Sequence, residues 1–121
     1  MLRSDTPEDA LPLSPASFQI VLVLAAAPAH GYAIMLEVAR LTGGKAQLGP
    51  GTLYRTIQKL VDDQIIEAHG ADADERRVPY RLTRHGAAVA RAEARRLAHL
   101  VALADARGLL GRRARHDGAR P

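Results

Sequence analysis

Leu48-Gly-Pro-Gly-Thr-Leu-Tyr-Arg-Thr-Ile-Gln-Lys-Leu-Val-Asp-Asp63 is the stretch of the chain that decides its fold. Pro50 suits the first turn of a helix, since its fixed φ is helical and its missing N–H needs no partner there. Apolar residues recur at helical spacing and form one stripe, which contains Leu53, Ile57, Leu60 and Val61. The opposite face is polar and basic, and two glycines leave the helix N-terminus uncovered, which suits an anion such as a DNA phosphate. An ordinary amphipathic surface helix is the alternative interpretation of this pattern.

The composition indicates one small soluble domain. The chain has 121 residues, of which 47% are hydrophobic and 25% are charged. It contains no cysteine, which excludes disulfides, thiolate chemistry and cysteine zinc sites. Residues 20–27 form an apolar run, but the leader before them is acidic, unlike that of a secretory signal, and Pro28 ends the run too early for a membrane span. We therefore expect a buried helix of a cytoplasmic protein, with no membrane partner.

The positive charge is concentrated in the C-terminal third of the chain. Residues 84–121 hold nine Arg against Glu93, Asp105 and Asp117, although the whole chain has a net charge of only +4. This excess lies beyond the helix described above. The excess of arginine gives the whole chain a high isoelectric point. This property is therefore not, by itself, an argument that the helix described above contacts DNA.

Turn residues and periodicity predict three helices, a β-hairpin and a long final helix. Ser14-Pro15 starts the first helix, 15–27, and Gly43-Gly44 ends the second, 32–42. The first helix is apolar on most faces, which predicts a partner chain on one of them. The inner stripe of the second helix is expected to contain Ile34, Met35, Val38 and Leu41. Residues 65–69 and 76–82 alternate with period two around a polar loop, as in a hairpin with an open edge at Pro79.

The final helix, 84–107, is expected to be a dimerisation element. At about 1.5 Å per residue it would be about 35 Å long, more than so small a body can cover. A protruding apolar stripe of this kind is typical of helix pairing, and packing within its own domain is the alternative. The expected interface residues are Phe18, Val89, Leu97, Leu100, Val101 and Ala104.

The predicted fold class is mainly α with a small β-hairpin, a winged helix-turn-helix plus a long C-terminal dimerisation helix. We expect a flexible N-terminal arm over residues 1–13 and the winged helix-turn-helix over 14–83. The dimerisation helix, 84–107, would follow it, and a basic, disordered tail would occupy 108–121.

Several short motifs occur in an order typical of one family. They are Leu13-Ser14-Pro15-x-x-Phe18, His30-Gly31-Tyr32-Ala33-Ile34, Thr42-Gly43-Gly44, Leu48-Gly49-Pro50-Gly51-Thr52-Leu53-Tyr54-Arg55, Asp74-Glu75-Arg76-Arg77 and Tyr80-Arg81-Leu82-Thr83 with Gly86. Through these motifs the chain resembles the PadR-like family of bacterial transcriptional regulators over residues 13–104. Its single C-terminal helix resembles the short subfamily. The resemblance implies a homodimeric repressor that binds a pseudo-palindromic operator in double-stranded DNA.

The resemblance also implies which residues meet DNA. The helix 50–63 would enter the major groove with its N-terminal residues foremost, and the hairpin 65–82 would be the wing. The expected DNA-binding residues are Gly49, Gly51, Thr52, Tyr54, Arg55, Gln58, Lys59, Arg76 and Arg77. Arg55 would either read a guanine or hold a phosphate, and Tyr54 would either meet DNA or pack on the domain surface. Arg76 and Arg77 would either contact the minor groove or pair with nearby loop acids.

Two departures from the family pattern limit the prediction. Gln64 stands where the family usually has glycine, so either a left-handed conformation there costs about 1 kcal/mol or the helix ends differently. The final helix has no aromatic residue on which a flat effector could stack, so a small-molecule effector stays unidentified.

The sequence predicts no enzyme, cofactor or metal site. The five His, at positions 30, 69, 85, 99 and 116, lack helical metal spacing, and no nucleotide-binding or nucleophile motif occurs. The alternative to DNA binding is a winged-helix module for protein interaction without specific DNA contact.

Overall fold

The computed structural model of the protein describes residues 6–70 and 77–111. Within them the helices are α1 (Pro15–Ala26), α2 (Gly31–Leu41), α3 (Pro50–Asp62) and α4 (Arg84–Ala106), preceded by a 3₁₀ turn, Pro7–Ala10. The strands are β1 (Ala29–His30), β2 (Ile66–Ala68) and β3 (Pro79–Leu82). This order confirms the predicted fold class, a mainly helical winged helix-turn-helix with a long final helix.

Side chains cap three of the helix starts. Ser14 Oγ accepts a hydrogen bond from the N–H of Ser17 at 3.1 Å, and Thr83 Oγ1 accepts one from Gly86 at 2.8 Å. His30 Nδ1 caps α2 through the N–H of Ala33 at 3.4 Å, a role that its place in a turn motif did not reveal. The N-cap of α3 is a glycine without a side-chain hydrogen bond. The first N–H groups of α3 are therefore open to an external acceptor.

The helices α2, α3 and α4 end in the same backbone motif. In each, an N–H beyond the helix bonds to a carbonyl five residues earlier, in the pairs Gly44–Ala39 at 2.8 Å, Ile65–Leu60 at 2.9 Å and Leu109–Ala104 at 3.0 Å. The residue that makes the turn is left-handed in all three, with φ of 62° at Gly43, 62° at Gln64 and 77° at Gly108. Gln64 is the single non-glycine residue with positive φ in the described ranges. Of the two alternatives at Gln64, a left-handed residue or a helix that ends differently, the structure shows the left-handed residue.

The sheet has three antiparallel strands in the order β1-β3-β2, so the hairpin gains a third strand from the α1–α2 turn. His30 of β1 lies opposite Pro79, and on the other side the Pro79 carbonyl accepts the N–H of His69 at 2.8 Å. The expectation of an open edge at Pro79 was therefore wrong. The extra strand is two residues long, too short for an alternating pattern to reveal it.

The core lies between α1, α2, α3, the sheet and the first half of α4. Its fully buried side chains include Ile20, Val21, Ile34, Val38, Leu53, Leu60, Ile65, Ile66 and Val89. The predicted inner stripe of α3 is confirmed at Leu53, Ile57 and Leu60. Leu41, expected on the inner stripe of α2, is instead 49% exposed, because it is the last residue of that helix and lies beyond the core.

The described part of the segment before α1, residues 6–13, is docked on the domain, which corrects the expectation of a flexible arm for that part of residues 1–13. Ala10, Leu11 and Leu13 pack against the core, and the Leu13 N–H donates to Glu93 Oε2 at 3.1 Å. A segment this short has no periodicity that could predict a partner on α4. Residues 1–5 and the tail from 112 lie outside the described residues.

Candidate nucleic-acid interface

The outward face of α3 presents the residues that the sequence singled out. Seven of the expected DNA-binding residues are exposed on it: Gly49, Gly51, Thr52, Tyr54, Arg55, Gln58 and Lys59. Leu53 and Ile57 on the opposite face are 1% and 3% exposed and fix the helix to the core. Burial of that stripe therefore determines which side chains face solvent.

The N-terminal turn of α3 combines open backbone with a free guanidinium. A Cβ atom on Gly49 would meet nothing within 4 Å, so a ligand can approach the backbone there. Arg55 Nη2 donates to Thr52 Oγ1 at 3.4 Å, and no carboxylate of the described residues forms an ion pair with Arg55. This turn therefore offers uncapped N–H groups and spare guanidinium donors to an anion.

Tyr54 both reaches solvent and packs within the domain. Its side chain is 50% exposed, and its ring lies across the start of α2 at Gly31. A Cβ atom on Gly31 would lie 2.6 Å from Tyr54 Oη and 2.8 Å from Cε1. The ring therefore fits only over a residue without a side chain and holds α3 against α2.

The C-terminal half of α3 is occupied by acidic side chains. Gln58 Nε2 donates to Asp62 Oδ1 at 2.9 Å, and Lys59 Nζ lies 3.0 Å from Asp63 Oδ2. Two carboxylates at this end would repel phosphate. The anion-binding character of the helix is therefore confined to its first two turns.

The wing is described only in part. Arg77 is exposed, whereas Arg76 and the loop acids expected as possible partners lie in 71–76, outside the described residues. Arg81 on β3 forms an ion pair with Glu67 on β2 at 2.8 Å, with both side chains about half exposed. The described part of the wing thus presents two exposed arginines, Arg77 and the ion-paired Arg81.

The end of α3 and the start of α4 are bonded to each other. Thr83 Oγ1 donates to the Gln64 carbonyl at 2.6 Å, and the Thr83 N–H donates to the Ile65 carbonyl at 3.0 Å. A Cβ atom on Gly86 would overlap the Ile65 carbonyl, so α4 approaches this turn as closely as the backbone permits. The orientation of α4 is therefore coupled to that of α3.

Only the first half of α4 is covered by its own domain. Its buried residues are Gly86, Val89, Ala92 and Glu93. Val89, expected at a dimer interface, is 0% exposed inside the core, so that assignment was wrong. The described residues of the domain cover the apolar stripe in the first half of α4. They leave the stripe uncovered in the second half of the helix.

The second half of α4 exposes large apolar side chains. Leu100, Val101 and Leu103 are 47%, 54% and 50% exposed. Of the other expected interface residues, Leu97 and Ala104 are half-buried, and Phe18 is half-buried on α1 and packs against the core. The described residues of this chain leave much of this stripe in contact with water.

Glu93 is a buried carboxylate that the sequence pattern did not single out. It is 1% exposed, and its two oxygens accept hydrogen bonds from Arg96 at 2.6 and 2.9 Å. The Arg96 guanidinium, helped by the Leu13 N–H, holds the Glu93 pKa below its ordinary value against the opposing effect of burial. The i, i+3 spacing of Glu93 and Arg96 is a signal for the ion pair, but nothing in the sequence indicated its burial or its bond to Leu13.

Neither a metal centre nor a membrane segment is found in the described part of the chain. Within residues 6–70 and 77–111, no three acidic or histidine side chains come together as metal ligands would. No helix of those ranges is long and apolar enough to cross a membrane.

Together, α2 and α3, the flanking hairpin and the exposed face of α3 define a winged helix-turn-helix, a class of DNA-binding domain. The model of the transcriptional regulator PadR-like family matches residues 20–92 of the chain. The chain therefore belongs to the PadR-like family and is a DNA-binding transcriptional regulator. No curated protein is significantly similar to it in sequence.

Solved structures share the fold. A transcriptional regulator from Clostridium thermocellum superposes with a TM-score of 0.65 at 19% identity, over 84% of this chain and 96% of that one. RosR from H. salinarum superposes with a TM-score of 0.63 at 29% identity, over 92% of this chain and 98% of that one. A PadR-like transcription factor from Bacteroides fragilis gives 0.62 at 21% identity, over 74% of this chain and 85% of that one.

Proposed function

We propose that the protein is a homodimeric, sequence-specific repressor that reads a pseudo-palindromic operator with α3. The observation that carries the proposal is the N-terminal turn of α3, with its uncapped N–H groups and the Arg55 guanidinium, which no carboxylate within residues 6–70 and 77–111 pairs with. The hairpin 65–82 acts as the wing, with Arg76 and Arg77 at the minor groove or its phosphates.

In this proposal Thr52 and Arg55 are the readers, and Gly49 and Gly51 let the backbone approach phosphate. A bidentate contact of Arg55 with a guanine edge would be worth roughly 1–3 kcal/mol of discrimination. Tyr54 contributes its exposed edge while it holds α3 in place. Gln58 and Lys59 are secondary contacts, because Asp62 and Asp63 compete for their donors.

The dimer is supported by the uncovered half of α4. A stripe of half-exposed Leu and Val side chains on a protruding helix costs free energy in water, and pairing with a second copy would remove that cost. The proposed interface contains Leu97, Leu100, Val101 and Ala104, with Phe18 at its border. A two-fold dimer of this kind pairs with a two-fold operator.

A band-shift assay with the protein's own promoter region tests sequence-specific binding. At physiological salt we expect the promoter fragment to bind at least tenfold more tightly than unrelated DNA of the same length. Equal affinity for the two fragments would contradict the proposal. Repression itself is tested with a reporter gene driven by the same promoter, whose output should fall when the protein is expressed.

Arg55→Ala tests the reading residue. We expect a roughly 5- to 100-fold loss of operator affinity with an unchanged dimer. Arg40→Ala is the matched control, since Arg40 is an exposed arginine that already pairs with Glu37 on α2. Unchanged affinity in Arg55→Ala would remove this residue from the site.

Light scattering tests the dimer. The wild-type chain should be a dimer at micromolar concentration, and Leu100→Glu with Val101→Glu should make it a monomer. The control is Ala102→Glu, an exposed position next to them on the helix that points away from the stripe. A monomeric wild-type protein would refute the interface.

The acidic half of α3 favours a second candidate, a winged-helix module for protein interaction without specific DNA binding. Salt dependence separates the two. Binding through several phosphates loses affinity steeply as salt rises, whereas an apolar protein contact does not. No effector is assigned, because α4 has no aromatic side chain for stacking.

A further inference from the structure

One face of α4 is a line of basic residues. Arg84, Arg91, Arg95 and His99 are spaced by seven, four and four residues, which places them on the same side of a helix. All four are solvent-exposed. We call these residues the α4 basic face.

The arginines of this face lack the carboxylate partners that three other arginines of the described residues have. Arg40, Arg81 and Arg96 each form an ion pair with a glutamate. No carboxylate of the described residues forms an ion pair with Arg84, Arg91 or Arg95. Of the two acids of α4, Glu93 is buried on another side of the helix, and Asp105 lies six residues beyond His99. The α4 basic face therefore has uncompensated positive charge.

The α4 basic face lies opposite the apolar stripe. Arg91 and Leu100 are nine residues apart, as are Arg95 and Ala104, and nine residues at about 100° each place two side chains about 180° apart. Pairing through the stripe would therefore leave the basic face of both protomers in solvent. The proposed dimer interface and the basic face do not compete.

We propose that the α4 basic face binds the phosphates of duplex DNA that flanks the operator, without reading its sequence. This rests on the proposed function of α3. Arg84 lines a groove together with Val61 and Gln64 at the C-terminal end of α3, away from its reading turn, so the phosphates that the basic face would bind lie outside the segment that α3 reads.

The dimensions and charge of the face suit duplex DNA. From Arg84 to His99 the face extends about 22 Å along the helix, the length of about six phosphates of one DNA strand. The exposed arginines of the face, Arg84, Arg91 and Arg95, supply the positive charge that would attract this stretch of phosphates.

The experiment compares a short and a long duplex centred on the segment that wild-type protein protects in a footprint. The short duplex contains that segment alone, and the long one adds flanking DNA of arbitrary sequence on both sides. Binding is measured by fluorescence anisotropy over a range of salt concentrations. We expect wild-type protein to bind the long duplex more tightly, and the double variant Arg91→Ala/Arg95→Ala to lose that gain while it binds the short duplex normally. Its salt slope on the long duplex should fall by roughly 0.9 for each phosphate that the variant no longer neutralises.

Two controls separate position from charge. Arg91→Lys/Arg95→Lys keeps the charge and should keep most of the gain. Arg107→Ala removes one charge from another side of α4 and should change the gain less than Arg95→Ala does. Circular dichroism verifies that the alanine variants stay helical, as expected at exposed positions where alanine favours a helix.

Three outcomes would overturn the inference. One is equal affinity of wild type and double variant for the long duplex with the same salt slope. A second is that flanking DNA does not raise the affinity of the wild type. A third is that the double variant keeps the higher affinity for the long duplex and loses only the ability to join two separate duplexes. Failure of the proposed function is distinct, because it would appear as equal wild-type affinity for short promoter and short unrelated duplexes.

Discussion

A Cβ atom on Gly86 would overlap the carbonyl oxygen of Ile65 and lie 2.8 Å from its carbonyl carbon. The first turn of α4 therefore lies directly against the turn that ends α3. The neighbouring Thr83 bonds to the Gln64 carbonyl across the same contact. Because both sides of the contact are backbone, neither can move aside as a flexible side chain would.

Gly86→Ala should therefore destabilise the protein strongly, by about 3 kcal/mol in the free energy of unfolding. Urea denaturation followed by circular dichroism measures it. Gly49→Ala is the control, since a Cβ atom there meets nothing within 4 Å, and it should cost no more than about 1 kcal/mol, the effect of alanine at an N-cap. A Gly86→Ala variant as stable as wild type would show that α4 is less closely apposed to Ile65.

Gln64→Gly should stabilise the protein by about 0.5–1 kcal/mol, because it removes the cost of a left-handed non-glycine residue. The φ of 62° at this position is the basis of the prediction. Gln64→Ala keeps a Cβ atom and should bring no such gain. Thermal unfolding of the two variants side by side makes the comparison, and equal midpoints would contradict it.

Gly31→Ala should push the Tyr54 ring from its place over α2, since the new Cβ would lie 2.6 Å from Tyr54 Oη. We expect a lower operator affinity and a less stable fold. In a Tyr54→Ala background the same glycine change should cost little, so the two positions should show a coupling of roughly 0.5–3 kcal/mol. A double-mutant cycle in urea, with anisotropy on operator DNA, measures both effects. Additive effects would mean that the ring does not depend on Gly31.

Glu93 should make stability sensitive to acid. Arg96 first, and then the Leu13 N–H, hold its pKa below the ordinary value despite burial. A carboxylate with a lowered folded-state pKa stabilises the protein above its unfolded value, about 4.3, and this contribution is lost as pH falls through the folded pKa. The difference in melting temperature between wild type and Glu93→Gln should therefore be largest near pH 6 and decrease below about pH 4.3.

Glu37 provides the matched control for Glu93. Its pKa is also lowered, mainly by Arg40, but the pair lies on the surface of α2. Glu37→Gln should have little effect at either pH, since exposed ion pairs contribute little. A difference in melting temperature between wild type and Glu93→Gln that does not change with pH would contradict a stabilising role of the buried ion pair.

Patterns carried by neighbouring residues allowed most of the fold to be predicted. The stripe of α3 repeats at helical spacing, and Gly43 and Thr83 are local signals that end and start helices. The strand β1 was not predictable, because its two residues pair only once β3 is in place. The bond between Leu13 and Glu93 joins residues 80 positions apart, so no local pattern contains it.

The site was predictable to a similar degree. Exposure of Thr52 and Arg55 follows from the buried stripe on the opposite face of α3. The apolar stripe of α4, by contrast, does not by itself indicate whether its own domain or a partner chain covers it. That ambiguity explains the error at Val89. The pairs formed by Asp62 and Asp63 with Gln58 and Lys59 follow the ordinary i, i+4 rule and were within reach of the sequence.

Because the backbone contact at Thr83 fixes the start of α4 to the end of α3, a tilt of α4 would also move α3. The helix has 23 residues and is therefore about 35 Å long. In the proposed dimer, a tilt of about 5° of one α4 helix would displace its far end by about 3 Å, close to the 3.4 Å rise of one base-pair step. The crossing angle of these helices would therefore determine the distance between the two half-sites that the dimer can bind. A substitution far from DNA, within that crossing, would then change the operator spacing that the protein accepts.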